Sequence, residues 1–474
     1  MNRETKNTIL NDDQQEVFNA ITGSIENIIK TNMVWDNMLS LSGAAGTGKT
    51  FLTAEIVKYF VDKKYSVAVT TPTHRALKII RDSLGVNIPI NFSTVHSFLN
   101  IKLFTDYSKG IQKFIVDKSS TNTSRVDLLI VDESSMVSKE LYNYIVDAIE
   151  AGRAKSVLFV GDKYQLLPID DNEQIFDRIN HNYELTKIVR QAEGSYIIKI
   201  ATQAREIIKS QNYMLIKEFF NTHFDSNIEF FHDSESFYSD FYKNENWSNE
   251  DKVIASFKNS DVDAHNRHIR KEYWRGKGYE GAIETLMVGD SLVLQDTYTK
   301  DDMVVFNNGV EITLSYTKKE YMEAIDIYFW ECKDMNGTAL KVVDIDSQLR
   351  FNNVLKKIAE NAKREKNYHK RKELWKLFFD LKNLFANVKY KFASTIHKLQ
   401  GSTFETVYID LFNLNSLERT NKDDLFRLIY VAITRASMDI KILVPSLNLQ
   451  GEVQQINSSV RKLFDTRLLQ DFNF

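Results

Sequence analysis

Cysteine is almost absent from this 474-residue chain. Its single residue, Cys332, excludes an internal disulfide and a zinc site built from cysteines. Proline is scarce as well, at four residues, a bias that says little about function. No apolar run approaches the roughly 20 residues that a membrane-spanning helix needs. The opening stretch MNRETKNTILNDDQQ is polar and lacks the apolar centre of a secretion signal. An excess of one charge is missing too. The 61 basic and 64 acidic residues leave a net charge of −3, which is neutral evidence on nucleic acid, because a basic groove can sit inside a balanced total. These absences predict a cytoplasmic protein with no membrane contact. What the chain does have, 43% hydrophobic and 26% charged residues, is a globular composition. Its length exceeds one ordinary core, so two or more domains are expected.

Glycine gathers at residues 43–50, which read Gly43-Ala44-Ala45-Gly46-Thr47-Gly48-Lys49-Thr50. That is the complete pattern G-x-x-x-x-G-K-T. A short apolar strand (Met38 to Leu41) precedes it, and an amphipathic helix pattern (Phe51, Leu52, Ile56, Val57, Phe60) follows. Glycines let backbone N–H groups turn inward around a triphosphate, and the helix N-terminus adds partial positive charge. Lys49 suits the β- and γ-phosphates of ATP, and Thr50 suits Mg²⁺. A second acidic position is then required. Asp132-Glu133 follows the apolar run Leu128 to Val131. Asp132 can hold the metal through water, and Glu133 can orient or deprotonate the attacking water.

Apolar runs at 67–70, 128–132, 157–161, 253–256, 407–410 and 440–444 alternate with helical patterns. This predicts an α/β protein with two doubly wound parallel sheets. Two stretches break the rhythm. Residues 98–125 read as a hairpin, Ile101 to Phe104 and Gln112 to Val116 about a turn at Tyr107–Gly110. Residues 286–348 read as a small β module with a turn at Asn307-Asn308-Gly309. After it, Leu374, Phe378, Leu381 and Phe385 are expected on one helix face. Residues 350–391 hold thirteen Lys/Arg against four Asp/Glu, which reads equally as a solvated face or as a nucleic-acid contact.

Other runs are weak singly. Gly161-Asp162-Lys163-Tyr164-Gln165 follows a strand, and its glutamine can sense a γ-phosphate or simply belong to a polar loop. Thr71-Pro72-Thr73-His74, Ser93-Thr94-Val95-His96-Ser97 and Ser394-Thr395-Ile396-His397 each mix small hydroxyls with a histidine, which suits phosphate contact. Arg190 and Arg435 each follow an apolar run, as surface residues or as arginines completing an ATP site in cis.

Taken in order, these runs resemble the motif set of superfamily 1 helicases, and within it the RecD-like 5′→3′ branch, superfamily 1B, over almost the whole chain. The resemblance implies that Gln14 reads adenine and that residues 43–50 hold ATP. It implies a catalytic set of Lys49, Asp132, Glu133, Gln165, Arg190 and Arg435, with Mg²⁺ on Thr50 and Asp132. Thr71, Pro72, His74, Thr94, His96, Thr395 and His397 are implied DNA contacts. Phe257 and Asn259 join them as part of a base-stacking platform, and Val189 stands where an aromatic is common. The implied domains are RecA-like 1A (1–97 and 126–192) and 2A (193–285 and 391–474). Inserted in 1A is a wedge hairpin (98–125), and inserted in 2A is an SH3-like module with a basic helical segment (286–390). Phe114 is expected either to stack at the wedge or to fill a local core. The implied partners are single-stranded and forked duplex DNA, then single-strand-binding or replisome proteins. The expected activity is ATP-driven 5′→3′ unwinding in replication, recombination or repair. A remodelling ATPase with little unwinding, an ATP-gated scaffold subunit and an RNA helicase are the alternatives.

Overall fold

The computed structural model describes residues 10–31, 36–73, 80–81, 90–117, 124–168, 174–189, 195–222, 228–300 and 303–444. Two of the candidates, His74 and Arg190, lie outside the described residues.

The first sheet draws on strands β1 (Met38–Gly43), β2 (Val67–Thr71), β3 (Asn91–Thr94), β6 (Val126–Val131), β7 (Ala154–Gly161) and β8 (His181–Leu185). They run parallel in the order β3–β2–β6–β7–β1–β8. Parallel strands need helical crossovers, so both faces are covered, and successive side chains serve opposite cores. Leu128, Ile130, Leu158 and Val160 pack with Ile25 and Phe60 of helices Asp12–Thr31 and Lys49–Asp62. Their neighbours Leu129, Val131, Val157 and Phe159 pack with Leu141 and Ile145 of helix Lys139–Glu150.

The second sheet repeats this design with β9 (Glu229–Phe231), β10 (Lys252–Ser256), β18 (Ala393–Thr395), β19 (Phe404–Asp410) and β20 (Ala436–Leu443). These are parallel in the order β18–β10–β19–β20–β9. One face buries Val407, Ile409, Ile440 and Ile442 under helices Tyr196–Ser210 and Lys422–Thr434. The other buries Ile254 and Tyr408 with Phe237 and Ile269. The chain is therefore α/β with two doubly wound parallel sheets.

Two antiparallel pieces interrupt the sheets. Strands β4 (Ile101–Asp106) and β5 (Ile111–Val116) pair only with each other, through Leu103 opposite Phe114. Asp106 closes their turn by accepting from the Ser108 and Lys109 N–H groups at 2.9 and 3.3 Å. In the second piece β11 (Ser291–Leu294), β14 (Glu311–Met322), β15 (Ile327–Asp334), β16 (Ala339–Val343) and β17 (Val388–Tyr390) form a sheet ordered β16–β15–β14–β11–β17. The pair β12 (Tyr298–Lys300) and β13 (Met303–Phe306) lies beside it, and Gly309 takes the positive φ of the expected turn.

Helices Gln348–Arg364 and Tyr368–Asn383 follow β16. The second helix differs from its sequence pattern. It ends at Asn383, so Phe385 lies beyond it and packs on Phe329 and Phe351, with ring centroids 5.6 and 5.2 Å apart. The fully buried residues of that helix are Trp375 and Phe379, because that side also meets the hairpin turn through Tyr107.

Candidate active site and nucleic-acid interface

Strand β1 runs into the glycine-rich loop at the C-terminal edge of the first sheet, and helix Lys49–Asp62 leaves it. Gly46 and Gly48 sit at φ 81° and 84°, the left-handed region that side chains rarely adopt. A Cβ on Gly48 would come within 2.5 Å of Gln14 Nε2. Gln14 is buried, donates from Nε2 to the Thr47 carbonyl at 3.0 Å and accepts the Asn11 N–H at 3.2 Å. It thus holds the loop from behind. The Val189 N–H donates to the Gly46 carbonyl at 2.9 Å and steadies the other side. Lys49 Nζ donates to the carbonyls of Gly43 and Ala44 at 2.7 and 3.0 Å, so its charge lies over the loop mouth. Thr47 Oγ1 donates to the Ala44 carbonyl at 2.9 Å.

Asp132 follows β6, with its N–H on the Thr70 carbonyl at 2.8 Å. Burial, then the charge of Glu133, push the Asp132 carboxyl above its ordinary range, while Lys49 pulls it back. A carboxylate held in that state favours a bound cation, which reverses the effect. Glu133 adopts φ 53°, a strained backbone for a non-glycine residue of the kind that clusters at working sites. An oxygen-only pair, one hydroxyl (Thr50) and one carboxylate (Asp132), fits Mg²⁺ that keeps water and phosphate ligands. The described residues hold no cluster of three His, Cys, Asp or Glu that would make a self-sufficient metal site.

The second sheet reaches this edge through several side chains. Arg435, at the end of helix Lys422–Thr434, is buried and fixed on the Val431 and Ser402 carbonyls, both at 3.1 Å. Burial lowers its pKa, and the charges of Glu133, Tyr430 and Asp162 oppose that shift. Gln165 is buried, and its Oε1 accepts from Gln400 Nε2 at 3.1 Å and from Ser135 Oγ at 3.3 Å. Gln400 also donates to Ser135 Oγ at 3.1 Å. Arg427 Nη1 donates to the carbonyls of Lys163 and Gln165 at 3.0 and 2.9 Å. The fully buried Tyr430 donates its hydroxyl to Asp162 and receives the Ala45 N–H of the loop at 3.4 Å.

Of these, Ser135, Gln400, Arg427 and Tyr430 were not singled out as site residues. Tyr430 lies in the apolar run before Arg435, and Gln400 lies three residues beyond His397. Arg427 and Ser135 carried no signal, since only folding brings them to the 162–165 loop.

The nucleic-acid candidates form two matching groups. Thr71 ends β2 beside Thr94 at the end of β3. Thr395 ends β18 beside Ser256 at the end of β10. Thr94 and Thr395 each cap a one-turn helix, Val95–Phe98 and Ile396–Leu399, accepting an N–H at 3.2 and 3.4 Å. Each cap is followed two residues later by a histidine, His96 and His397. Burial pushes the pKa of both down and favours the neutral ring, against the nearby charges of Glu140 and Asp424. The ring of His96 lies 5.0 Å from Phe114, and that of His397 lies 6.4 Å from Phe257. Thr71 Oγ1 donates to the Thr73 carbonyl at 2.6 Å, across Pro72, and Asn259 accepts from Lys389 at 3.1 Å. The buried hydroxyls of Ser93 and Ser256, one in each group, have no hydrogen-bond partner among the described residues.

Phe114 is 42% exposed, and Leu103 and Phe104 beside it are 53% and 45% exposed. It therefore does not fill a core under the hairpin.

The AAA domain model matches residues 10–212, and the model of the UvrD-like helicase C-terminal domain matches residues 390–441. An uncharacterised protein of Acanthamoeba polyphaga mimivirus is 23% identical over 479 residues, covering 85% of this chain and 94% of that one. The ATP-dependent DNA helicase dda of Enterobacteria phage T4 is 27% identical over 470 residues, covering 91% and 98%. Among solved structures, the Bacteroides Pif1 helicase in complex with ADP-AlF3 and single-stranded DNA is 17% identical, with a TM-score of 0.49 over 96% of this chain and 98% of that one.

Proposed function

We propose that this chain, which belongs to the RecD-like superfamily 1B helicases, is an ATP-driven motor that moves 5′→3′ on single-stranded DNA and separates duplex ahead of it. The observation that carries this reading is the bond from Gln165 to Gln400. It ties the loop beside Glu133 and Ser135 to the segment of the second sheet that bears Thr395 and His397. A change at the γ-phosphate thereby reaches a DNA-facing element in one step.

The residues divide the work as follows. The loop N–H groups and Lys49 bind the triphosphate. Thr50 and Asp132 would hold Mg²⁺, which would supply charge neutralisation on the phosphates. Glu133 orients the attacking water and takes its proton. Arg435, with Arg190 as its partner by resemblance, stabilises charge that develops in the transition state. Lys49 and Arg435 belong to opposite sheets, so binding draws them together and hydrolysis releases them. The Thr94/His96 and Thr395/His397 groups then grip the backbone alternately, which requires no sequence preference. The segments 98–125 and 286–390 act as wedge and accessory module on the two motor domains.

Strand separation on duplexes with only a 5′ or only a 3′ single-stranded tail tests activity and polarity together. The 5′-tailed duplex is expected to open and the 3′-tailed one to resist. Preferential opening of the 3′-tailed substrate moves the chain to the other branch. DNA-stimulated hydrolysis without opening either substrate selects the remodelling ATPase.

A further inference from the structure

The basic run at 350–391 becomes a single object in the fold. Helix Gln348–Arg364 and helix Tyr368–Asn383 are joined by three residues and pack along each other. Their apolar side is occupied. Ala362, Trp375 and Phe379 form a small core that the hairpin turn completes with Tyr107, whose ring lies 6.0 Å from Phe379. Arg371 Nε donates to the Ser108 carbonyl at 3.1 Å, and Gly110 lies so close on Trp375 that a Cβ there would overlap the indole.

The outer side is cationic and uncompensated. Lys356, Lys363, Lys366, Lys370, Lys372 and Lys376 are exposed, and none makes an ion pair among the described residues. Some exposed lysines elsewhere are answered locally, Lys30 by Glu26, Lys58 by Glu55, Lys102 by Asp117 and Lys155 by Asp127. Like charges four residues apart, such as Lys372 and Lys376, weaken a helix unless something outside neutralises them. The run holds thirteen Lys/Arg to four Asp/Glu in a chain of net charge −3, so the rest of the molecule is acidic and offers no internal reason for the cluster. Its position supplies one. Phe114 stands three residues from Ile111 at the start of β5, roughly 10 Å from the docked turn at ~3.4 Å per residue. A base pair opening at Phe114 therefore lies within a few nucleotides of the cationic face.

We propose that the outer face of the two helices binds the phosphodiester backbone at the fork, beside the hairpin and apart from the track that the motor follows. The proposal rests on the helicase reading above. Its ligand is the duplex arm ahead of the hairpin, which carries about one charge per 1.7 Å of axis, twice the density of a single strand.

The test compares the full-length chain with a combined Lys356→Gln, Lys363→Gln, Lys370→Gln and Lys376→Gln variant, whose changes all lie on exposed side chains. Binding is measured from 50 to 200 mM salt on an oligo-dT strand, a 5′-tailed duplex and a fork with both tails. On oligo-dT the two proteins are expected to match in affinity, salt slope and stimulated ATPase, which also certifies the variant's fold. On the fork, the log–log salt slope is expected to fall by about 1 for each phosphate that the variant no longer neutralises. That fall is expected already on the 5′-tailed duplex, and a fall that needs the 3′ tail overturns the duplex assignment in favour of the displaced strand. Equal slopes for both proteins on all three substrates overturn the proposal, and leave an acidic protein as the partner of this face. An equal fall on oligo-dT also overturns it, because the lysines then belong to the track. Failure of the helicase reading is a separate result: a wild-type ATPase that ignores every DNA added.

Discussion

Tyr430 uses one hydroxyl to join two loops of the candidate site. It donates to Asp162 and accepts from the Ala45 N–H, so it touches the 162–165 loop and the glycine-rich loop from the opposite half. Tyr430→Phe keeps the ring that fills this fully buried position and removes only those bonds. Hydrogen bonds to charged groups contribute about 1.5–3 kcal/mol, and Asp162 keeps the Tyr164 N–H at 3.1 Å, so a loss near the lower figure is expected in chemical denaturation. The functional effect is a smaller ratio of DNA-stimulated to basal ATPase. An unchanged ratio would assign the hydroxyl to stability alone. Arg435→Ala acts at a different step. Its guanidinium already rests on carbonyls of its own domain, so it is preorganised rather than recruited. Its removal is expected to lower kcat, with DNA affinity in the absence of nucleotide unchanged. Arginine fingers in well-studied systems are worth roughly 10³–10⁵ in rate. A drop in DNA affinity at constant kcat would move Arg435 to the backbone-binding set.

At the scale of elements, the hairpin β4/β5 is the unusual piece. Among the described residues it pairs with no other strand, and it exposes Leu103, Phe104 and Phe114, which an isolated hairpin could not sustain in water. Two supports hold it. Tyr144 of helix Lys139–Glu150 donates to the Phe114 carbonyl at 2.7 Å near the base, and Trp375 receives the turn at the tip. Two substitutions separate what the hairpin carries from what carries it. Phe114→Ala removes an exposed ring whose stacking is typically worth about 1–3 kcal/mol per base, so unwinding should fall with the melting temperature and single-strand-stimulated ATPase nearly unchanged. Gly110→Ala places a methyl group on Trp375 at φ 66°, where side chains are strained. It should lift the tip, lower the melting temperature slightly and weaken unwinding while ATPase on single strands survives. Normal unwinding in both variants would remove the hairpin from strand separation.

At the scale of the molecule, two parallel sheets of similar design face each other across the nucleotide loop. Each presents a capped one-turn helix with a histidine, beginning at Val95 and Ile396. Several hydrogen bonds between the halves meet at residues 162–165, through Gln400, Arg427 and Tyr430. That loop is where the two sheets can report to each other. Gln400→Ala deletes the bonds to Gln165 and Ser135 without touching the phosphate loop. The expected result is ATP binding unchanged and DNA stimulation of hydrolysis reduced several-fold, read as kcat with and without oligo-dT. Full stimulation in the variant would break the proposed link.

The sequence by itself determined the chemistry that depends on neighbours along the chain. A phosphate loop needs glycines, lysine and threonine in fixed succession, and a buried parallel strand needs a continuous apolar run. Residues 43–50 and 128–133 could therefore be read directly. The antiparallel hairpin was legible for the same reason, since its turn is local. Short or polar edge strands such as β8 and β9 were not, because pairing rather than composition makes them strands. Tertiary structure alone decided which distant groups meet. Gln400 lies 235 residues from Gln165, and Tyr430 lies 268 from Asp162, separations across which no local pattern carries information. It also decided that Trp375 and Phe379, rather than Phe385, form the inner side of the basic helix, because the surface they cover belongs to a hairpin more than 250 residues earlier in the chain.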